Sequence, residues 1–276
     1  MATVGTAEVE IEISKAKVRR EADAAGREIE KSLGDSSRKA AKELEDKLSN
    51  IRIGAGVGVA TATALGLGYA TKAASDLNET TSKSAAVFGE AQAAVLAYAE
   101  SADQGIGLSK RAALDATSTF GNLFTQLGVG KTQAADLSTS MVTLAADFGS
   151  FFNEDPVAII EAQTAAFRGE YDALQKYVPT INAAAVEQQA LTETGKANAA
   201  QLTQQEKALA TYTLMMEGAG AAQGDFGRTS DSAANAAKRA KAEIDNNAAS
   251  LGQALLPVAA AAAEVVGALA GAFGEF

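Results

Sequence analysis

An all-α fold is predicted from three observations. The composition is rich in alanine with only 3 prolines in 276 residues, apolar residues recur at helical spacing from Ser14 onward, and helix-capping signatures punctuate the middle of the chain. Alanine loses no side-chain entropy in a helix, so it favours that state more than any other residue. It also buries little area, so a core built from it is thin for its residue count.

Composition narrows the chemistry. There is no cysteine and no histidine. Disulfides, Cys/His zinc sites and Ser-His-Asp or Cys-His nucleophile systems are therefore excluded. The formal net charge of −10 is unevenly placed: residues 1–52 hold 11 Lys/Arg and 11 Asp/Glu, so the acidic excess lies entirely beyond them. An acidic chain is poorly suited to phosphate contacts, and no direct, specific nucleic-acid binding is expected. The N-terminus lacks the basic-then-apolar pattern of a secretory signal.

Four segments follow from the patterning. In residues 1–52, Val9, Ile11 and Ile13 alternate with Glu8, Glu10 and Glu12, which predicts a short strand. After it, Val18, Ala22, Ala25 and Ile29, then Leu44, Leu48 and Ile51, form a narrow stripe flanked by opposite charges. That predicts an extended, coiled-coil-like helix with a break at Gly34-Asp35-Ser36. Residues 53–74 begin with the uncharged run IGAGVGVATATALGLGYA, an apolar Gly/Ala helix. Gly54 and Gly58, and Ala64 and Gly68, have the small-xxx-small spacing that lets helix backbones approach. Two readings of this run stand: a tightly packed helix in an assembly, favoured by its few large side chains, and a short membrane span.

Residues 75–250 read as successive helices in a bundle-like region. Ser109, Thr132, Asp155 before Pro156, and Thr203 with Glu206 are the expected N-caps. The densest large apolar cluster is Leu123, Leu127, Leu137, Met141, Leu144, Phe148, Phe151 and Phe152, which with Ile159, Ile160 and Phe167 is the expected core. Residues 251–276 form an apolar, Ala-rich C-terminal helix, for which packing outweighs membrane crossing because Glu264 interrupts the run.

No catalytic, cofactor-binding or metal-ligating residue is singled out. Gly128-Val129-Gly130-Lys131-Thr132 has the end of a phosphate-loop pattern, but Thr125 stands where a glycine is required, and a helical connection accounts for the glycines. Asp225-Phe226-Gly227 lacks every other kinase part. Arg168, Glu170 and Asp172 are expected to be salt-bridged surface groups, not a glycosidase pair.

Six phrases occur in order: ASDLNETTSKSAAVFG from Ala74, GLSKRAALDATSTFGNLFTQLG from Gly107, MVTLAADFGSFFN from Met141, AFRGEYDALQKYV from Ala166, AQGDFGRTSDSAAN from Ala222 and LGQALLPV from Leu251. In this order and spacing, across roughly residues 1–260, the chain resembles the tail tape measure proteins of long, non-contractile-tailed phages, especially those of actinobacteria. Members of that family are commonly far longer, so the resemblance is to an N-terminal part or a short form. It implies a non-enzymatic virion protein that lies in several copies in the tail-tube lumen, sets tail length, and leaves ahead of the DNA on infection. The implied partners are the tail tube protein, tail assembly chaperones, distal tail or tail tip proteins, and other copies of the chain. Host-membrane contact through residues 53–70 is also implied. The implied location is the virion, with the host cytoplasm during assembly. Some members carry a peptidase or muramidase module; the His-metallopeptidase type is impossible here. The alternative from another class is a membrane-active, pore-forming helical protein, on the strength of the two apolar stretches.

Overall fold

A computed structural model describes residues 58–274, with side chains described for 68–256. The expected N-terminal strand at 9–13, the seam from Val18 to Ile51 and the break at Gly34 lie outside the described residues. Within them the chain is all-α, with no strand.

The helices are α1 (Gly58–Phe88), α2 (Gln92–Glu100), α3 (Ala102–Ile106), α4 (Lys110–Gln126), α5 (Lys131–Phe151), α6 (Pro156–Phe167), α7 (Ala183–Thr194), α8 (Gln204–Gly218), α9 (Asp225–Arg228) and α10 (Ala233–Gly274), with short 3-10 turns between several of them. The described backbone divides into two compact units: residues 76–247, and residues 58–75 together with 248–274. Helix α1 runs without interruption across Ala74, and α10 runs through Pro257. Among the described residues, no helix is long and apolar enough to cross a membrane.

Cap chemistry sets the starts of three helices as expected. Ser109 Oγ accepts from Ala112 N, Asp155 accepts from Val157 N ahead of Pro156, and Thr203 and Glu206 form a reciprocal capping box. The cap expected at Thr132 is corrected. Gly130, extended at φ −63 and ψ 146, is the N-cap of α5, and its carbonyl accepts from Ala134 N at 2.8 Å. Thr132 therefore lies inside the first turn. The ammonium of Lys131 lies against Gly89 and 3.5 Å from the Ala86 carbonyl, near the end of α1. It serves that helix's negative end, and the adjacent glycines serve as a turn.

In the 76–247 unit, α5 is the central helix, with α2, α4, α6 and α9 packed around it, while α7 and α8 form a neighbouring pair. Its inner row of Leu137, Met141, Leu144 and Phe148 is buried, as helical spacing demands. Ile159 and Phe167 of α6 join that core as expected. Phe151 does not: it is 49% exposed, because α5 ends there and Asn153 turns the chain at φ 54. Leu123, Leu127, Phe152 and Ile160 are only half-buried.

The remaining core comes from residues far apart in the chain. Phe88, Phe120, Phe124 and Phe226 are all buried. Phe124 and Phe167 meet edge to face at 4.9 Å between centroids, a geometry favoured by ring quadrupoles. Helices α1 and α4 approach so closely that a Cβ on Gly121 would lie 2.3 Å from Phe88 Cζ. Lys83 pairs with Asp115 at 2.9 Å, so the register of the two helices advances in the same direction. The Gln163 amide is fully buried with no hydrogen-bond partner at either atom.

In the other unit, α1 and α10 cross at small residues. Gly252 sits so near α1 that an added Cβ would lie 1.7 Å from the Ala70 carbonyl oxygen and 2.8 Å from Ala74 Cβ. Ala70, Ala74 and Ala249 are buried. Only a residue without a side chain permits this backbone approach.

Candidate functional site

The strongest concentration of buried polar contacts is a clasp between the C-terminal half of α5 and residues 221–238. Asp147 is 4% exposed. Its carboxylate accepts from Gly224 N at 2.7 Å and from Phe226 N at 3.1 Å. Gly224 has φ 75, the left-handed region, which turns the chain so that both amides face the same carboxylate. One turn later on α5, the Ser150 hydroxyl donates to Asp225 Oδ2 at 2.7 Å. The Asn235 amide of α10 donates to Ser150 Oγ at 2.8 Å and to Thr229 Oγ1 at 2.9 Å. Lys238 places its ammonium 3.0 Å from the Gly149 carbonyl, at the negative end of α5.

Arg228 closes the loop upon itself, donating to the carbonyl of Gln223 at 2.6 Å and to the carbonyl of Ala221. It also lies 3.4 Å from Asp225 Oδ1. The Phe226 ring is buried, and the left-handed Gly107 leaves room for it: a Cβ there would be 2.8 Å from Phe226 Cζ.

Electrostatics at the clasp are set by burial. Desolvation pushes the Asp147 carboxyl above its ordinary value, with the Gly224 and Phe226 amides opposing the rise, the Asp225 carboxylate adding to it and Arg228 opposing it. Tyr98 is pushed up to about 12, chiefly by desolvation and against its hydrogen bond to Thr143. Burial also lowers Lys238, with Asp155 opposing.

A second polar group lies at the end of α5. Glu154 receives the Lys176 ammonium and the Tyr177 hydroxyl, which together hold its carboxyl below the ordinary value. The Tyr177 ring stacks on Phe148 at 5.5 Å. Arg168, Glu170 and Asp172 are exposed, and among the described residues no ion pair joins them, which corrects the expected salt bridges. They flank the left-handed turn at Gly169 that follows α6.

Phrases 166–178, 141–153 and 222–235 thus meet on α5: Tyr177 on Phe148, and Asp147 on Gly224 and Phe226. Phrases 74–89 and 107–128 meet at Phe88 and Gly121. Reading the chain residue by residue missed the clasp, because the partners of Asp147 are backbone amides 77 and 79 residues away. The Asp-Phe-Gly element is a short helix start, with Asp225 held by Ser150 and Phe226 by the core. Among the described residues, no group of three or more Asp or Glu side chains is placed to hold a metal ion.

Beside the clasp is a cleft of about 440 Å³ lined by Tyr98 of α2, by Thr139, Ser140, Thr143, Leu144 and Asp147 of α5, by Met216 of α8, and by Gln223 and Gly224. No known protein family, curated protein or solved structure matches the chain.

Proposed function

We propose that the chain is a structural phage tail component of the tape-measure type, acting through its length and packing faces. The observation that supports this reading is that five of the phrases bearing the resemblance touch one another in the fold. Phe88 lies on Gly121, Tyr177 stacks on Phe148, and Asp147 receives Gly224 and Phe226.

A ruler works when extended, because helix rise then converts residue number into length at about 1.5 Å per residue. In this reading the compact unit opens as the tube polymerises. Its buried apolar set is rich in alanine, from Ala99 to Ala222, so opening it exposes less apolar area per residue than a leucine core would. The partners proposed are the tube subunits, the assembly chaperones, the tail-tip proteins and other copies of the chain.

The test is mass spectrometry of purified particles of the phage encoding this chain, together with tail lengths from an in-frame deletion. Removing 12 helical residues, Pro156–Phe167, should shorten tails by about 18 Å if the region lies extended in the tube. Absence of the chain from particles refutes the reading. Unchanged tail length with the chain present refutes the ruler role of that region. Host-membrane contact through 53–70 belongs to the same proposal, and a peptide of those residues that ignores lipid vesicles would remove it. The pore-forming alternative predicts that the full chain releases dye from liposomes unaided.

A further inference from the structure

We propose that the cleft bounded by Tyr98, Thr143, Asp147 and Met216 binds an aliphatic primary ammonium group. The inference is independent of the tape-measure reading and rests on which hydrogen-bonding capacity the cleft leaves unspent.

Every hydroxyl hydrogen along the α5 wall is already used. Thr139 Oγ1 donates to Ala135 O or Asp136 O at 3.1 and 3.0 Å, Ser140 Oγ donates to Asp136 O at 2.9 Å, and Thr143 Oγ1 donates to Thr139 O at 2.9 Å. Thr143 has a single hydrogen, so in its 3.0 Å contact with Tyr98 the phenol is the donor. Tyr98, Ser140 and the two threonines therefore present oxygen lone pairs.

Asp147 adds a negative charge. Its two backbone donors occupy about half of the roughly four acceptor positions of a carboxylate. Arg228, the nearest cation on the neighbouring loop, is directed to the carbonyls of Gln223 and Ala221 and to Asp225. Hydroxyl oxygens whose hydrogens are spent, around one such charge, complement a ligand that donates without accepting, and the Gln223 amide on the same wall can turn its carbonyl oxygen toward it. An ammonium has three donors and no acceptor. Leu144 and Met216 supply an apolar wall for a methylene stem. A divalent cation is a poorer fit, since it favours several carboxylates and six or more oxygens.

The ammonium could belong to a free amine or to a lysine side chain of another protein, and the test separates these. The full chain, labelled with ¹⁵N, is titrated with n-butylammonium chloride, with sodium chloride at matched ionic strength and n-butanol as controls. The Gly224 and Phe226 amides should shift and saturate, on the order of 1 mM for a ligand of this size. The two controls should not reproduce the shifts. Ser140→Ala, which leaves the clasp intact, should weaken binding about fivefold to tenfold, and Asp147→Asn, if it folds, should abolish it. Linear shifts without saturation, equal shifts with sodium, or unchanged affinity in Ser140→Ala would overturn the proposal. In a parallel arm, Nα-acetyl-lysine methylamide binding at least as well as butylammonium assigns the site to a lysine side chain, and weaker binding assigns it to a free amine.

Discussion

Replacing Gly121 by alanine pits two known effects against each other at one site. An alanine in the interior of α4 should gain about 1 kcal/mol of helix propensity over glycine. Its Cβ would stand 2.3 Å from Phe88 Cζ, 2.4 Å from Phe88 Cε1 and 2.9 Å from Val87 Cγ1, however. Carbon atoms in contact rest about 3.5–4.0 Å apart, so the ring must retreat by more than 1 Å. Phe88 is fully buried and has no open direction. Overpacking of this kind costs roughly 1–3 kcal/mol or more, so the clash should win. Gly121→Ala should be destabilised by about 1–2 kcal/mol, which for a unit of this size lowers Tm by roughly 2–8 °C. Gly105 of α3 is the internal control: nothing lies within 4 Å of its added Cβ. Gly105→Ala should be stabilised by up to about 1 kcal/mol. Denaturant unfolding of the full chain, followed by helical circular dichroism, reads both. Adding Phe88→Leu to Gly121→Ala should recover part of the loss, with a coupling of about 0.5–3 kcal/mol. A Gly121→Ala protein as stable as the parent, or a Gly105→Ala protein equally damaged, would refute the packing of α1 on α4.

Thr203→Ala removes one arm of the capping box at α8 and should cost about 1 kcal/mol, with faster amide exchange at Glu206. Gln163→Met should stabilise by about 1–3 kcal/mol, because it replaces a buried amide lacking partners with a side chain of similar length; a lower denaturation midpoint would contradict this. Gly252→Ala drives a Cβ into a backbone carbonyl, which cannot rotate aside, so α1 and α10 should separate near Ala70 and become open to proteolysis there. Acid titration should show two opposite signs. The folded carboxyl of Asp147 is raised, so the fold binds a proton more tightly than the unfolded chain. Relative to Asp147→Asn, the parent should gain stability as pH falls from the raised value toward about 3.9. Glu206 is lowered, first by Lys196 and then by the Thr203 amide, so its contribution is present above about 4.3 and lost as pH falls through the lower folded value. Melting temperatures from pH 3 to 7 for parent, Asp147→Asn and Glu206→Gln test both signs.

Local chemistry made some elements legible and distance concealed others. Ser109, Asp155-Pro156 and Thr203-Glu206 could be read because a cap and its amide lie within three residues. Gly130 escaped notice because a glycine cap carries no side chain to announce itself, and Thr132 offered the wrong hydroxyl. The α5 row at 137, 141, 144 and 148 was visible as a period. Phe88, Phe120 and Phe124 were not, since the residues that bury them, Gly121 for Phe88 and Phe167 for the other two, lie on other helices. Phe151, apolar and adjacent to the row, was misplaced because periodicity does not mark where a helix stops. The Asp147 clasp had the least signal of all: a carboxylate and two main-chain amides leave no side-chain pattern.

Synthesis on the ribosome meets a particular order here. Asn246 accepts from the Lys110 amide at 2.8 Å and reaches Asp103, while Asn235 and Lys238 cover Ser150 and the Gly149 carbonyl. All of these late residues bind groups made some 85 to 143 positions earlier. A nascent chain therefore holds α3, α4 and α5 in waiting until translation has passed Asn246, and loops of that span close slowly. A ribosomal product that stops before Asn235 would display the end of α5 uncapped, an open target for proteases and chaperones.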